Sequence, residues 1–256
     1  AKITKRGKIV LLGNILPVTD NPLRLAEEIA MLDVISGGRI VAGFVRGGGV
    51  ESLATNANPV HNRERYIEGH DLIIKAWTTP GPFRWEGKHF HYRVVNPWVL
   101  PMQKPHPPIW VSGRSDSAMR RAALLGDGWY PYLFTVRRLK QSNEEITQIA
   151  AEAGRDLSSF HWGLNQPTSI MDDPEAALAQ AVENVGQRYV TAERSAEDIA
   201  KALCIAGTPE DCVQSVQERI DAGVRDFNLS FLAPDIDGIF QQMETFSRQV
   251  IPHFRS

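Results

Sequence analysis

A chain of 256 residues, 43% hydrophobic and 23% charged, has the composition of a globular protein, which excludes disordered and fibrous classes. Lys plus Arg number 28 against 30 Asp plus Glu, so there is no positive excess of the kind that holds a nucleic acid. The longest apolar runs, such as Ile9–Leu12 and Ile40–Val45, fall far short of the ~20 residues that span a bilayer, and the basic Ala1–Arg6 lacks the apolar stretch of a secretory signal. A cytoplasmic protein with no membrane and no nucleic-acid partner is expected, and one domain over residues 1–256 suits this length.

Residues Lys8–Asn14 read as a short buried strand, and Asn21–Ile35 carries Leu25, Ile29, Leu32 and Ile35 at helical spacing. Asp20 is placed to cap that helix with Pro22 in its first turn, and Gly37-Gly38 ends it before a strand at Arg39–Val45. A helix near Arg63–Trp77, a strand at Pro108–Ser112, a helix at Ser115–Leu125 and a short strand around Gly128–Tyr130 continue the pattern. Further on come a helix at Val136–Ala153, a strand at Phe160–Leu164 and polar helical segments across Pro174–Leu203. Helix Pro209–Ala222, stopped by Gly223, leads to strand Asp226–Phe231 and a closing helix at Ile236–Val250.

Strands alternating with helices point to an α/β architecture with a parallel sheet and helices outside it. Six core strands are countable, whereas a closed barrel of the usual type has eight. The aromatic- and Pro-rich text between Pro80 and Pro107 reads as an excursion at about 80–107 between barrel units, not as a source of the other two. Because the chain begins without Met and enters a strand within ten residues, the expectation is a truncated barrel whose first βα units precede Ala1. Its open edges would then call for a partner or a further N-terminal segment. Cys204 and Cys212 fit neither a redox nor a zinc spacing and read as buried thiols. His89 and His91 face one side of a strand with no third ligand near them in sequence, so no metal is expected.

Three stretches carry a family resemblance. Residues 13–47, and AEEIAMLDVISGGR within them, resemble the third and fourth strands and intervening helix of the bacterial luciferase-like flavin-dependent monooxygenases. PHPPIWVSGRSDSAMRRAALLGDGWYP, residues 105–131, is similar to that family's fifth- and sixth-strand region, and GTPEDCVQSVQERIDAGVRDFNLSF with the closing QVIPHF resembles its C-terminal end. The resemblance implies a TIM-type (β/α)8 barrel, here without its first two βα units, that binds reduced flavin at the C-terminal ends of its strands. It implies an oxidoreductase in which reduced FMN, supplied by a flavin reductase, and dioxygen oxidise a small organic substrate. Deazaflavin (F-420) members exchange hydride instead, and the resemblance leaves both open. It also implies a homodimer. A third reading, motivated by the missing strands, is a catalytically inactive barrel acting as a binding or interaction protein.

The turn Ser112-Gly113-Arg114-Ser115-Asp116 joins a buried strand to a helix. A helix N-terminus offers unpaired N–H groups, Gly113 permits close backbone approach, and Ser115 adds a hydroxyl, a set that suits a phosphate. An ordinary N-cap by Ser115 accounts for the same residues, but in the family this turn holds the flavin phosphate. Arg65 and Tyr66 resemble a family pair that contacts FMN, against the alternative of a surface ion pair with Glu64 or Glu68. Glu51 resembles a family glutamate near the cofactor, and a solvated loop charge reads equally well. Gly43 stands where several members place an Asn; Arg46 and Gly47-Gly48-Gly49 follow without opening a dinucleotide fingerprint, and through Asn62 they read as a mobile loop over the site. Asn14 ends a strand where its amide could reach a flavin ring edge, and Trp129 is either a pocket wall or core. His61 and His70 are candidate proton donors without an assignable role. The family's best-known catalytic histidine belongs to early barrel loops outside this chain, so no catalytic residue is assigned.

Overall fold

The computed structural model describes residues 1–189 and 191–255 and divides into two compact units, residues 1–129 and 130–256. The first unit runs β1 (Ile9–Ile15), α1 (Pro22–Ser36), β2 (Ile40–Val45), α2 (Gly49–Ala54), α3 (Asn62–Thr78), β3 (Phe83–Glu86), β4 (His91–Val95), β5 (Ile109–Val111), α4 (Asp116–Leu125) and β6 (Gly128–Trp129). Its parallel strands lie in the order β1-β2-β5-β6. β2 is central and reads IVAGFV because a strand covered on both faces needs apolar side chains throughout.

α1 packs on β2, and α3 packs on α1. α1 turns Ala26, Ile29, Ala30, Asp33 and Ser36 inward and leaves Leu32 and Ile35 exposed, so the small residues, not the leucine and isoleucine spacing, mark its buried face. Its cap is Asn21, whose side chain accepts from the Arg24 N–H at 3.0 Å, and not Asp20. Gly37 ends it in the left-handed conformation, which glycine adopts without a Cβ penalty. α3 contributes Leu72, Ile73, Ala76 and Trp77 to the core, and the Trp77 indole donates to the Ala26 carbonyl at 2.9 Å. The buried Asp33 accepts two hydrogen bonds from Gln103, at 2.9 Å from its backbone and 2.7 Å from its side-chain amide, anchoring the segment that returns to β5.

The excursion contains an antiparallel hairpin, β3 with β4, outside the parallel sheet. Its turn is clamped by one carboxylate. Glu68 on α3 accepts from the backbone N–H groups of Lys88, His89 and Phe90 at 3.0, 2.8 and 2.9 Å and from the Trp85 indole at 3.2 Å. A Cβ on Gly87 would stand 1.7 Å from that carboxylate, so the turn takes glycine there.

The second unit runs α5 (Val136–Glu152), β7 (His161–Ile170), α6 (Pro174–Ala181), α7 (Ala196–Leu203), β8 (Ile205–Gly207), α8 (Pro209–Asp221), β9 (Asp226–Phe231) and α9 (Ile236–Gln249). β7 pairs in parallel with both β8 and β9. β8 is a strand beyond the six expected; at three residues, ending on a glycine with φ +144°, it is too short to show a period. Cys204 and Cys212 are buried, and burial pushes each thiol up to about 12. Among the described residues no helix is long and apolar enough to cross a membrane.

Since the thiolate is the reactive form, neither cysteine should react with a water-soluble disulfide reagent at pH 8 in the folded chain, and both should react in guanidinium. Rapid modification of native protein would show that one of the two is accessible.

Candidate functional site

Parallel strands end together, so the loops after β2 and β5 lie side by side. Between them opens a cleft of about 550 Å³ lined by Val45, Arg46, Gly47, Gly48 and Glu51 on one side and by Ser112, Gly113, Arg114, Ser115, Ala118 and Arg121 on the other. Carboxyl ends of parallel strands are where α/β folds place ligands.

The floor of the cleft is the β5–α4 turn. Gly113 has φ +144°, and a Cβ there would lie 2.5 Å from the Ala118 Cβ, so this tight entry into α4 requires glycine. Its carbonyl accepts from the indole of the buried Trp129 at 3.1 Å. Ser115 occupies the N-cap, yet its hydroxyl makes no capping bond and pairs instead with the Ser117 hydroxyl at 3.0 Å. The ordinary N-cap account of this turn is therefore not what the structure shows. Ala118 and Met119 N–H groups return to the Ser115 carbonyl, and the first N–H groups of α4 keep the dipole's positive end toward its N-terminus.

Arg121 is the feature the sequence reading missed. Its guanidinium carbon sits 4.6 Å from the centroid of the Tyr66 ring, and its Nε is buried without a hydrogen-bond partner. Tyr66 is 2% exposed, its hydroxyl is likewise unpartnered, and burial raises its phenol above the ordinary value against a smaller opposing effect of Arg121. His70 stacks on the Tyr66 ring at 6.5 Å and 12°, with Nε2 buried and unpartnered and Nδ1 3.1 Å from the Asp71 carboxylate. A cation on an aromatic face with an unsatisfied N–H is prepared for an anion. The sequence cue was its position three residues after Ala118 and next to Ala122, both buried on α4.

The structure brings Arg46, Glu51, Ser112, Gly113 and Ser115 together in the cleft and leaves four other expected residues behind it. Glu51 accepts from the Gly48 N–H at 2.9 Å, closing the start of α2. Asn14 donates to the carbonyls of Gly43 at 3.0 Å and Leu11 at 3.3 Å, spanning the register shift between β1 and β2. Gly43 lies under that irregularity, where a Cβ would meet the Leu11 carbonyl at 2.7 Å, so an Asn has no room there. Arg65 donates to the Pro17 and Thr19 carbonyls at 2.6 and 3.2 Å and lies over the Phe90 ring. It ties the loop after β1 to α3, and its partners are not Glu64 or Glu68. Tyr66 supports Arg121 from beneath. Trp129, 1% exposed, is core and props the turn. The Gly-rich stretch folds into α2 and a turn at Pro59–His61, fastened by Asn62 donating to Ser52 at 2.8 Å, where the sequence reads as an open loop.

A parallel α/β fold with a basic cleft at its strand ends defines the class of protein. A family model described as luciferase-like monooxygenase matches residues 7–226, and the chain belongs to that family. The alkanal monooxygenase alpha chain of Photobacterium leiognathi is 23% identical over 98% of this chain and 81% of its own length. An uncharacterized protein, y4wF, of Sinorhizobium fredii is 32% identical over 49% of this chain, a match that spans only 37% of that relative. Among solved structures, the monooxygenase RslO1 of Streptomyces bottropensis matches with a TM-score of 0.80 at 24% identity, over 98% of this chain and 80% of that one. An F-420-dependent secondary alcohol dehydrogenase matches at 0.85 and 21%, over 100% and 82%. The fold is thus that of the luciferase-like TIM-type barrel, and the characterised relatives are monooxygenases and other oxidoreductases.

A buried hydroxyl without a partner costs ~1–3 kcal/mol. Tyr66→Phe should therefore leave the free protein as stable or raise its melting temperature, an outcome differential scanning calorimetry reads directly. A loss of stability would mean that the hydroxyl is bonded.

Proposed function

We propose that this chain carries the cofactor site of a flavin-dependent monooxygenase, in which reduced FMN and dioxygen oxidise a small organic substrate. One observation supports this most: three arginines, Arg46, Arg114 and Arg121, line the cleft with Glu51 as its one acid, and among the described residues none of the three is ion-paired. Unpaired cations in a concave site concentrate an anion. The donor set fits a phosphate. Ser112, Gly113 and Ser115 would hold it at the start of α4, with Arg121 supplying fixed charge from its seat on Tyr66 and Arg46 and Arg114 adding charge at the rim.

Bound there, the flavin supplies the redox chemistry. The chain's own part is to orient the phosphate and to hold the rim loops: Asn14 and Gly43 set the end of β1 against β2, Arg65 fixes the loop after β1, and Glu51 fixes the loop after β2. A reductase supplying reduced flavin, a cytoplasmic setting and a homodimer accompany this reading as family expectations. The deazaflavin F-420 also carries phosphate, and cofactor titration decides between the two.

Oxidised and reduced FMN, F-420 and riboflavin should be titrated against the full chain by fluorescence. FMN is expected to bind well above riboflavin, because the cleft's donors address the phosphate. A charge-assisted hydrogen bond contributes ~1.5–3 kcal/mol, so Arg121→Ala should weaken FMN about tenfold or more, and Ser115→Ala less. Preference for F-420 would move the assignment to hydride exchange, while equal affinity for FMN and riboflavin would remove the phosphate from this turn.

A further inference from the structure

On the far end of α3 from its core residues, three side chains from separate segments meet around one point. His61 comes from the short helical turn before α3, Glu64 from its first turn, and His89 from the β3–β4 turn. The His89 Nε2 is 2.9 Å from the Glu64 carboxylate, the His61 Nδ1 is 3.8 Å from the same oxygen, and one ligand atom from each lies within 4.8 Å of the others. The two imidazole centroids are 5.2 Å apart. This is not the His89–His91 pair that strand spacing brings to mind; His91 is exposed on β4.

We propose that His61, Glu64 and His89 form a binding site for a divalent transition-metal ion of the zinc type. Two neutral imidazole nitrogens and a carboxylate oxygen are a zinc ligand set with a fourth position for water. Ligand atoms around a tetrahedral ion at 2.0–2.2 Å stand roughly 3.4 Å apart, a spacing that the two distances to Glu64 bracket. The site is also prepared without the ion. Glu68, one turn along α3, holds the backbone of Lys88, His89 and Phe90 by three N–H bonds, so the place of His89 depends on Glu68 and not on its contact with Glu64. In the free protein the Lys88 ammonium lies 2.9 Å from both Glu64 oxygens and occupies the carboxylate that the metal would take. Lys88 thus competes with the metal for that carboxylate.

The full chain should be titrated with Co2+, read by the visible ligand-field absorption of a tetrahedral ion, and then with Zn2+ as displacer. One equivalent is expected, with His89→Ala and His61→Ala each weakening it about tenfold or more. Glu68→Gln should weaken it by about tenfold through the outer shell, and Lys88→Met should tighten it. Zn2+ should raise the melting temperature of the native chain and not of His89→Ala. Should His89→Ala fail to fold by circular dichroism, His61→Ala decides, since His61 packs in no core. Absence of the absorption in both the native chain and Lys88→Met, or binding indifferent to loss of either histidine, would overturn the proposal.

Discussion

The hydrogen bond from the buried Trp129 indole to the Gly113 carbonyl holds the turn on which the cleft is built. A peptide group has two polar ends, and engaging the carbonyl inside the protein leaves the donors of the following residues as the groups still to be satisfied. Gly113 makes this possible because its φ of +144° and its approach to Ala118 exclude any side chain. β5 itself is three residues long, all buried, so its position is set by packing while its end is set by this bond.

Behind the turn, aromatic and cationic groups are layered. Tyr66 is held in the core of α3 and presents a face to Arg121, which limits the water around that guanidinium and strengthens whatever charge interaction it makes. The cost is visible in three buried polar atoms without partners, on Tyr66, Arg121 and His70. Such a cluster is expensive in a core and is explained when the site is finished by something that the chain itself does not supply.

Long amphipathic helices and apolar strands were readable because burial repeats at a regular interval: α5, α8 and α9 fall within a residue or so of where their periods end. What escaped lacks a period. β8 is three residues, and α1 buries Ala26, Ala30, Asp33 and Ser36, small or polar side chains that a count of leucines and isoleucines passes over. The cleft was legible from the β5–α4 turn, where glycine and serine between strand and helix have a local physical meaning. Arg65 could be seen but not placed, since its carbonyl partners lie 46 and 48 residues away. Arg121 needed the packing of α4 against Tyr66, a relation between residues 55 apart that no local pattern carries.

The clamp of Glu68 on the β3–β4 turn also makes the hairpin depend on α3. The hairpin alone has two short strands, and isolated pairs of that size are marginal in water. Its turn gains a binding partner only once α3 exists, because all three amides converge on a carboxylate one side of that helix presents. The hairpin is therefore an appendage whose order is borrowed from the helix. The glycine at the turn and the acid on the helix must therefore stay together, while Gln103, bonded to Asp33 and to the Ile40 carbonyl, separately fixes the return of the chain to β5.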